Sequence, residues 1–133
     1  MMMNKKSFLL IILILFCSKL WAAYLLIPMD EGQKNHLKAY GIAYYTLQND
    51  IKVDWLLNYR GGSFLIKHYT EIENECSIRG VSYEIIADVQ STQILTSIAS
   101  PEVNQDVVRL EKAPKVAIYS PKNKQPWDDA VTL

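Results

Sequence analysis

The alternation of short apolar runs with amphipathic stretches is the feature that most limits how this chain can fold. Ala23–Ile27 is continuously apolar and is followed by Pro28, which is the pattern of a strand buried on both faces. Glu31–Gln48 then carries apolar residues at spacings of three and four, which is typical of an amphipathic helix. Repeated along the chain, this alternation predicts an α/β fold with a mainly parallel sheet, Rossmann- or flavodoxin-like in outline.

The remaining elements are predicted in the same alternating order. Further strands are expected over Ile51–Leu57, Val81–Ala87 and Lys115–Tyr119. Further helices are expected from a cap at Ser63 to a stop at Gly80, over Ser91–Ala99, and from Pro126 onwards. Residues 102–112 are polar and are interpreted as a connection. A last helix of about two turns cannot cover its share of a parallel sheet, so the fold is expected to be incomplete. The alternative is a genuine but frayed C-terminus.

The N-terminus carries the pattern of an export signal. Lys5 and Lys6 precede the unbroken apolar run Phe8–Cys17, which is shorter than the ~20 residues of a membrane-spanning helix but suits a secretory signal. Small residues at Ala22 and Ala23 provide a place for cleavage. The alternatives are an uncleaved N-terminal anchor and a lipoprotein anchor at Cys17.

Three regions follow from these patterns: a signal peptide over 1–22, an α/β domain over 23–112, and the start of a truncated second α/β unit over 113–133. The whole chain has 14 basic and 14 acidic residues and two cysteines. Removing the signal leaves a net charge of about −3 and Cys76 as the one thiol. Without a basic excess, no nucleic-acid partner is predicted. Membrane contact is expected only through the signal segment during export.

The strongest candidate site is the turn Arg60-Gly61-Gly62-Ser63. A glycine turn between a strand and a helix would offer backbone N–H groups, a positive helix terminus and a guanidinium to a carboxylate, phosphate or sulfate. The alternative is ordinary turn and capping chemistry. Ligands of open α/β sheets bind beyond the carboxyl ends of the strands. Asp30 and Asp88 are therefore added as candidates, with helix capping as the alternative for each.

Other reactive side chains are assigned structural roles. His36 and His68 show no metal-ligand spacing with each other or with a cysteine, so neither a metal nor a cofactor is predicted. Cys76 falls on the apolar stripe of a predicted helix, which favours a packed thiol over a nucleophile. Tyr40, Tyr44 and Tyr45 are expected in the core and at its rim, and the alternative is a platform for stacking sugars. No catalytic residue is assigned.

Several long segments resemble one family of exported bacterial proteins. The matching segments are Tyr24–Glu31, Gln33–Gly41, Val53–Phe64 and Ala113–Ala130. They are similar to the N-terminal part of the family commonly labelled asparagine synthetase B. The resemblance implies a chain that continues past Leu133 into an α/β region like that of class I glutamine amidotransferases.

Three functional hypotheses follow. The first is an exported binding or scaffolding module of the cell envelope, with a small anionic ligand or an envelope protein as its partner. The second is the N-terminal part of an amidotransferase-like or hydrolase enzyme whose catalytic residues lie beyond Leu133. The third is asparagine synthesis itself. Against the third, the chain begins Met1-Met2-Met3-Asn4 where such synthetases expose a cysteine, and Arg60-Gly-Gly-Ser replaces their Ser-Gly-Gly-x-Asp-Ser loop.

Overall fold

The structure, a computed structural model, describes residues 23–117. In this part of the chain, five strands and three helices occur in the order β-α-β-β-α-β-α-β. The strands are β1 Ala23–Ile27, β2 Val53–Leu57, β3 Ser63–Lys67, β4 Glu84–Ala87 and β5 Asp106–Leu110. The helices are α1 His36–Gln48, α2 Thr70–Arg79 and α3 Asp88–Ile98.

All five strands form one sheet in the order β4-β1-β3-β2-β5, and every neighbouring pair is antiparallel. The first six elements, β1-α1-β2-β3-α2-β4, have the order of a split βαβ, or ferredoxin-like, unit. Helix α3 and strand β5 are added to it, and β5 extends the sheet beyond β2.

The predicted parallel, Rossmann- or flavodoxin-like sheet is therefore wrong. Ser63 does not cap a helix; it begins β3, which pairs with both β1 and β2. Helix α1 connects β1 and β2 as a crossover, but β3 lies between these two strands and runs against both. A buried strand of three large apolar residues, Phe64–Ile66, cannot be distinguished from a helix segment by periodicity alone.

Apolar side chains cover both faces of the sheet, which makes three layers. Helices α1 and α2 pack on one face, over a core cluster that includes Ile27 and Ile66. Helix α3 packs on the other face, over a second cluster that includes Leu26 and Leu65. Consecutive residues of β1 and β3 thus enter opposite cores, so the expectation that Ala23–Ile27 is covered on both faces is confirmed.

The helix boundaries differ from the predicted ones where a different residue provides the cap. Asn35, not Asp30, is the N-cap of α1, because its Oδ1 accepts the backbone N–H of Lys38 at 3.0 Å. Gly80 ends α2 in the left-handed conformation, as predicted. Helix α3 begins at Asp88 rather than at Ser91.

The polar stretch interpreted as a connection contains β5, which is held to β2 by a cross-strand ion pair. Arg109 donates to Asp54 from Nε at 2.8 Å and from Nη2 at 3.1 Å. Residues 115–117 are not a strand. The rest of the strand predicted there, the helix predicted from Pro126 and the predicted signal peptide lie outside the described residues. Within residues 23–117, no helix has the length and apolar composition needed to cross a bilayer.

Candidate functional site

Two of the predicted site residues, Asp30 and Arg60, meet in an ion-pair cluster with Glu84. Asp30 follows β1, Arg60 lies in the turn between β2 and β3, and Glu84 begins β4. The Arg60 Nε donates to Asp30 Oδ2 at 2.7 Å, and its Nη1 donates to Glu84 Oε1 at 2.8 Å. The guanidinium lowers the pKa of Asp30, and both carboxylates raise the pKa of Arg60. The cluster ties three strands together at one end of the sheet.

The glycine turn beside this cluster is a tight connection between two strands. Four of its residues have positive φ: Asn58, Arg60, Gly61 and Gly62. The backbone N–H groups of Gly62 and Ser63 both donate to the carbonyl of Tyr59 at 3.0 Å. The Arg60 carbonyl in turn accepts the N–H of Met29 at 3.1 Å, which draws the turn against the end of β1.

The structure weakens the physical basis of the anion-binding hypothesis for the Arg60-Gly61-Gly62-Ser63 turn. No helix begins at Ser63, so the positive end of a helix dipole is missing there. Two nitrogens of the Arg60 guanidinium are already paired with carboxylates. Asp88 lies beside Ala23 at the opposite end of the sheet, because β4 runs against β1. The structure therefore brings Asp30 together with Arg60 but not with Asp88.

Removing the Asp30 charge is expected to change how stability depends on pH. A carboxyl whose pKa is lowered by folding stabilises the fold above its unfolded pKa, near 4, and loses that contribution as the pH falls through the folded value. Asp30→Asn should therefore lower the melting temperature at pH 7 and flatten its decline between about pH 5 and pH 3. Thermal unfolding followed by circular dichroism measures both effects.

The control for this prediction is Asp88→Asn, which changes an exposed carboxylate outside the ion-pair cluster. Some acid sensitivity should remain in the Asp30 variant, because folding also lowers the pKa of Glu73 and of Glu111. Equal pH profiles for Asp30→Asn and the parent would contradict a stabilising role of the Asp30–Arg60 pair.

A second feature is an apolar groove beside α1, on the sheet face that α1 and α2 share. Its volume is about 200 Å³ and almost all of its lining is apolar. It is lined by Tyr40, Ala43, Tyr44, Leu47, Trp55, Phe64 and Leu110. The rings are held by one another: Tyr40 meets Phe64 edge-on at 5.6 Å between centroids, and Trp55 stacks on Phe64 at 6.2 Å. The groove is therefore preformed.

The groove exists because the described helices do not cover the whole width of the sheet. Strands lie about 4.8 Å apart, so five of them are roughly 24 Å wide, whereas two helices packed about 10 Å apart cover roughly 20 Å. On this face β5 has no helix above it in the described part of the chain. Val108, the cross-strand partner of Trp55, is accordingly exposed at the border of the groove.

The side chains of Cys76, His68 and His36 are held in contacts that support the fold. Cys76 is fully buried on α2, and burial raises the pKa of its thiol to about 11, which is unsuitable for a nucleophile at neutral pH. His68 contacts Glu73 at 2.7 Å, and Tyr83 donates to the same carboxylate at 3.2 Å. His36 donates from Nε2 to the carbonyls of Met29 and Asp30.

Reasoning from the sequence missed the groove as a site, although the signals were present. Tyr40 and Tyr44, predicted in the core and at its rim, are 50% and 39% exposed and line the groove. Trp55 and Leu110 could not be joined to them without knowing that β2 and β5 pair. Among residues 23–117, no group of three or more His, Cys, Asp or Glu side chains is placed to hold a metal ion. Comparisons of the chain with protein-family models, with curated proteins and with solved structures found no match.

Proposed function

We propose that this chain is an exported binding or scaffolding module of the cell envelope, and that its apolar groove is the binding face. The observation that supports binding is the preformed groove of aromatic and aliphatic side chains, on a part of the sheet that the described helices leave uncovered. Export is inferred from the lysines and the apolar run that precede β1.

The size of the groove favours a protein partner over a cofactor. Pockets for drug-sized ligands have volumes of about 300–1,000 Å³, whereas this groove has about 200 Å³. Its walls present almost no polar atoms that could orient a charged substrate. An aromatic side chain from a protein surface suits such a site, because buried aromatic anchors dominate the energetics of protein interfaces.

Export predicts a specific mature N-terminus. Cleavage after Ala22 or Ala23 would leave Ala23 or Tyr24 as the first residue, at or next to the start of β1. Mass spectrometry of the chain recovered from the envelope fraction measures this directly. A chain that retains Met1 would contradict removal of the signal.

Tyr44→Ser is expected to weaken binding of an apolar probe to the groove by about fivefold or more, the effect of losing roughly 1 kcal/mol of contact. The probe is 1-anilinonaphthalene-8-sulfonate, whose fluorescence titration gives the affinity. The matched control is Tyr69→Ser, because Tyr69 is as exposed as Tyr44, at 41% against 39%, and does not line the groove. Equal losses in both variants would contradict the groove as the binding face.

A further inference from the structure

The apolar groove borders an exposed stripe of α1. Leu37, Gly41 and Tyr44 follow one another at spacings of four and three, which places them along one side of the helix. Tyr44 also lines the groove. Leu37 is 82% exposed, the highest value among the large apolar side chains of residues 23–117. A projecting apolar side chain and an apolar groove therefore lie side by side on one surface.

Gly41 has no evident role inside the domain. A glycine within a helix is less favourable than an alanine. The φ of Gly41 is not in the left-handed region. Within the described residues, a Cβ built on it would meet only Arg79 Nη1, at the ordinary contact distance of 3.9 Å. Alanine would thus fit the fold, whereas a glycine suits the close approach of another backbone to α1 at this point.

The exposed surface around the groove is large enough for a stable interface. It is formed by Leu37, Tyr40, Tyr44 and Val108, which are 82%, 50%, 39% and 38% exposed. Together they present roughly 400 Å² to solvent, an area typical of patches that mark interaction sites. Because apolar atoms make up a little over half of a typical interface, such a patch matches the ~800 Å² that each partner of a standard complex buries.

A second copy of this chain provides an occupant for the groove. In a two-fold interface the same patch faces itself, so the projecting side chain of each copy meets the groove of the other. The groove, of about 200 Å³, has room for one large apolar side chain such as Leu37. We propose that this surface is the interface of a homodimer, in which the α1 helices of the two copies pack at Gly41 and Leu37 of each copy enters the groove of the other.

This inference rests on the proposed function, because it names the occupant of the same binding face. The groove is filled in the dimer and opens when the two copies separate. Probe binding should therefore tighten in Leu37→Ser, which removes the occupant and leaves every residue that lines the groove in place.

Sedimentation equilibrium of the chain purified after export measures the association. We expect a closed dimer, and a dissociation constant that rises about tenfold or more in Leu37→Ser. The matched control is Ile78→Ser, because Ile78 is 77% exposed on α2 and does not line the groove. It should leave the dissociation constant unchanged.

Mixing two variants tests whether the contact is reciprocal. Leu37→Ser keeps an intact groove, and Tyr44→Ser keeps an intact Leu37. A mixed dimer therefore retains one of the two contacts, whereas each variant alone retains neither. Because one contact is worth about half of the tenfold effect on a logarithmic scale, the mixture should associate about threefold more tightly than either variant alone.

Gly41→Ala separates the interface from the fold, because its two expected effects have opposite signs. In the monomeric Leu37→Ser variant it should raise the melting temperature by about 4 °C, since alanine is the better helix former. In the parent it should weaken association about tenfold, because the added Cβ occupies the space through which the two helices approach. Stabilisation without any loss of association would contradict the proposed dimer.

Three other results would overturn the inference: a chain that stays monomeric up to about 1 mM, oligomers that grow beyond a dimer, or equal effects of Leu37→Ser and Ile78→Ser. If the chain is monomeric but binds the naphthalene probe in a Tyr44-dependent manner, the inference fails and the proposed function stands. If Leu37→Ser, whose groove is open, shows no Tyr44-dependent probe binding, the proposed function fails.

Discussion

Gly61→Ala is expected to destabilise the domain by about 3 kcal/mol or more. An added Cβ at Gly61 would lie 2.3 Å from the carbonyl oxygen of Met29 and 3.0 Å from the backbone nitrogen of Asp30. Both atoms belong to backbone next to the ion-pair cluster, so neither can rotate away as the end of a side chain could. The φ of +81° adds the strain that any L side chain has in this region.

The control, Gly80→Ala, isolates the steric clash. Gly80 also has a positive φ, of +68°, but a Cβ built there meets no heavy atom within 4 Å. Its replacement should therefore cost only the conformational strain, about 1–2 kcal/mol. Urea unfolding of both variants gives the comparison. Similar losses in the two variants would show that the turn moves away from Met29 at little cost.

Leu65→Ala and Ile66→Ala are each expected to lower the free energy of unfolding by about 2–5 kcal/mol. These adjacent residues are 1% and 0% exposed and belong to the two opposite core clusters. Truncating either one leaves a cavity in a different core. Denaturant unfolding measures both losses, and their similar size is the signature of a strand covered on both faces.

Ile78→Ala is the matched control for these two variants, because Ile78 is 77% exposed on α2. Its replacement should change stability by no more than about 0.5 kcal/mol. A large loss for only one of Leu65 and Ile66 would instead favour a one-sided environment. That result would support the prediction from the sequence that a helix begins at Ser63.

The strands that the sequence predicts correctly are those whose signals are local. Ala23–Ile27 is correct to the residue, because an apolar run ended by proline has few other interpretations. Val53–Leu57 lies within the predicted second strand, and Gly80 ends its helix as expected. These features depend on the composition of a few consecutive residues, which is what a single sequence displays.

The features that the sequence does not predict depend on distant partners. Strand β5 looks polar because it lies at the edge of the sheet, and Arg109 makes sense within a strand only once Asp54 lies opposite to it. The direction of the sheet depends on the insertion of β3 between β1 and β2, which no local pattern specifies. The pairing of Asp30 with Arg60 could be predicted from the sequence, since both residues follow the ends of predicted strands. The participation of Glu84 could not be predicted, because the predicted strand begins at Val81 and places Glu84 within it, whereas β4 begins at Glu84 itself.

The interior position of β1, between β4 and β3, determines when the sheet can form. Its hydrogen-bonded neighbours in the sheet are β3 and β4, which begin about 40 and 60 residues after it. While the chain is being synthesised, its first strand therefore has no partner until about half of the described domain exists, and it lacks its second partner until β4 is made.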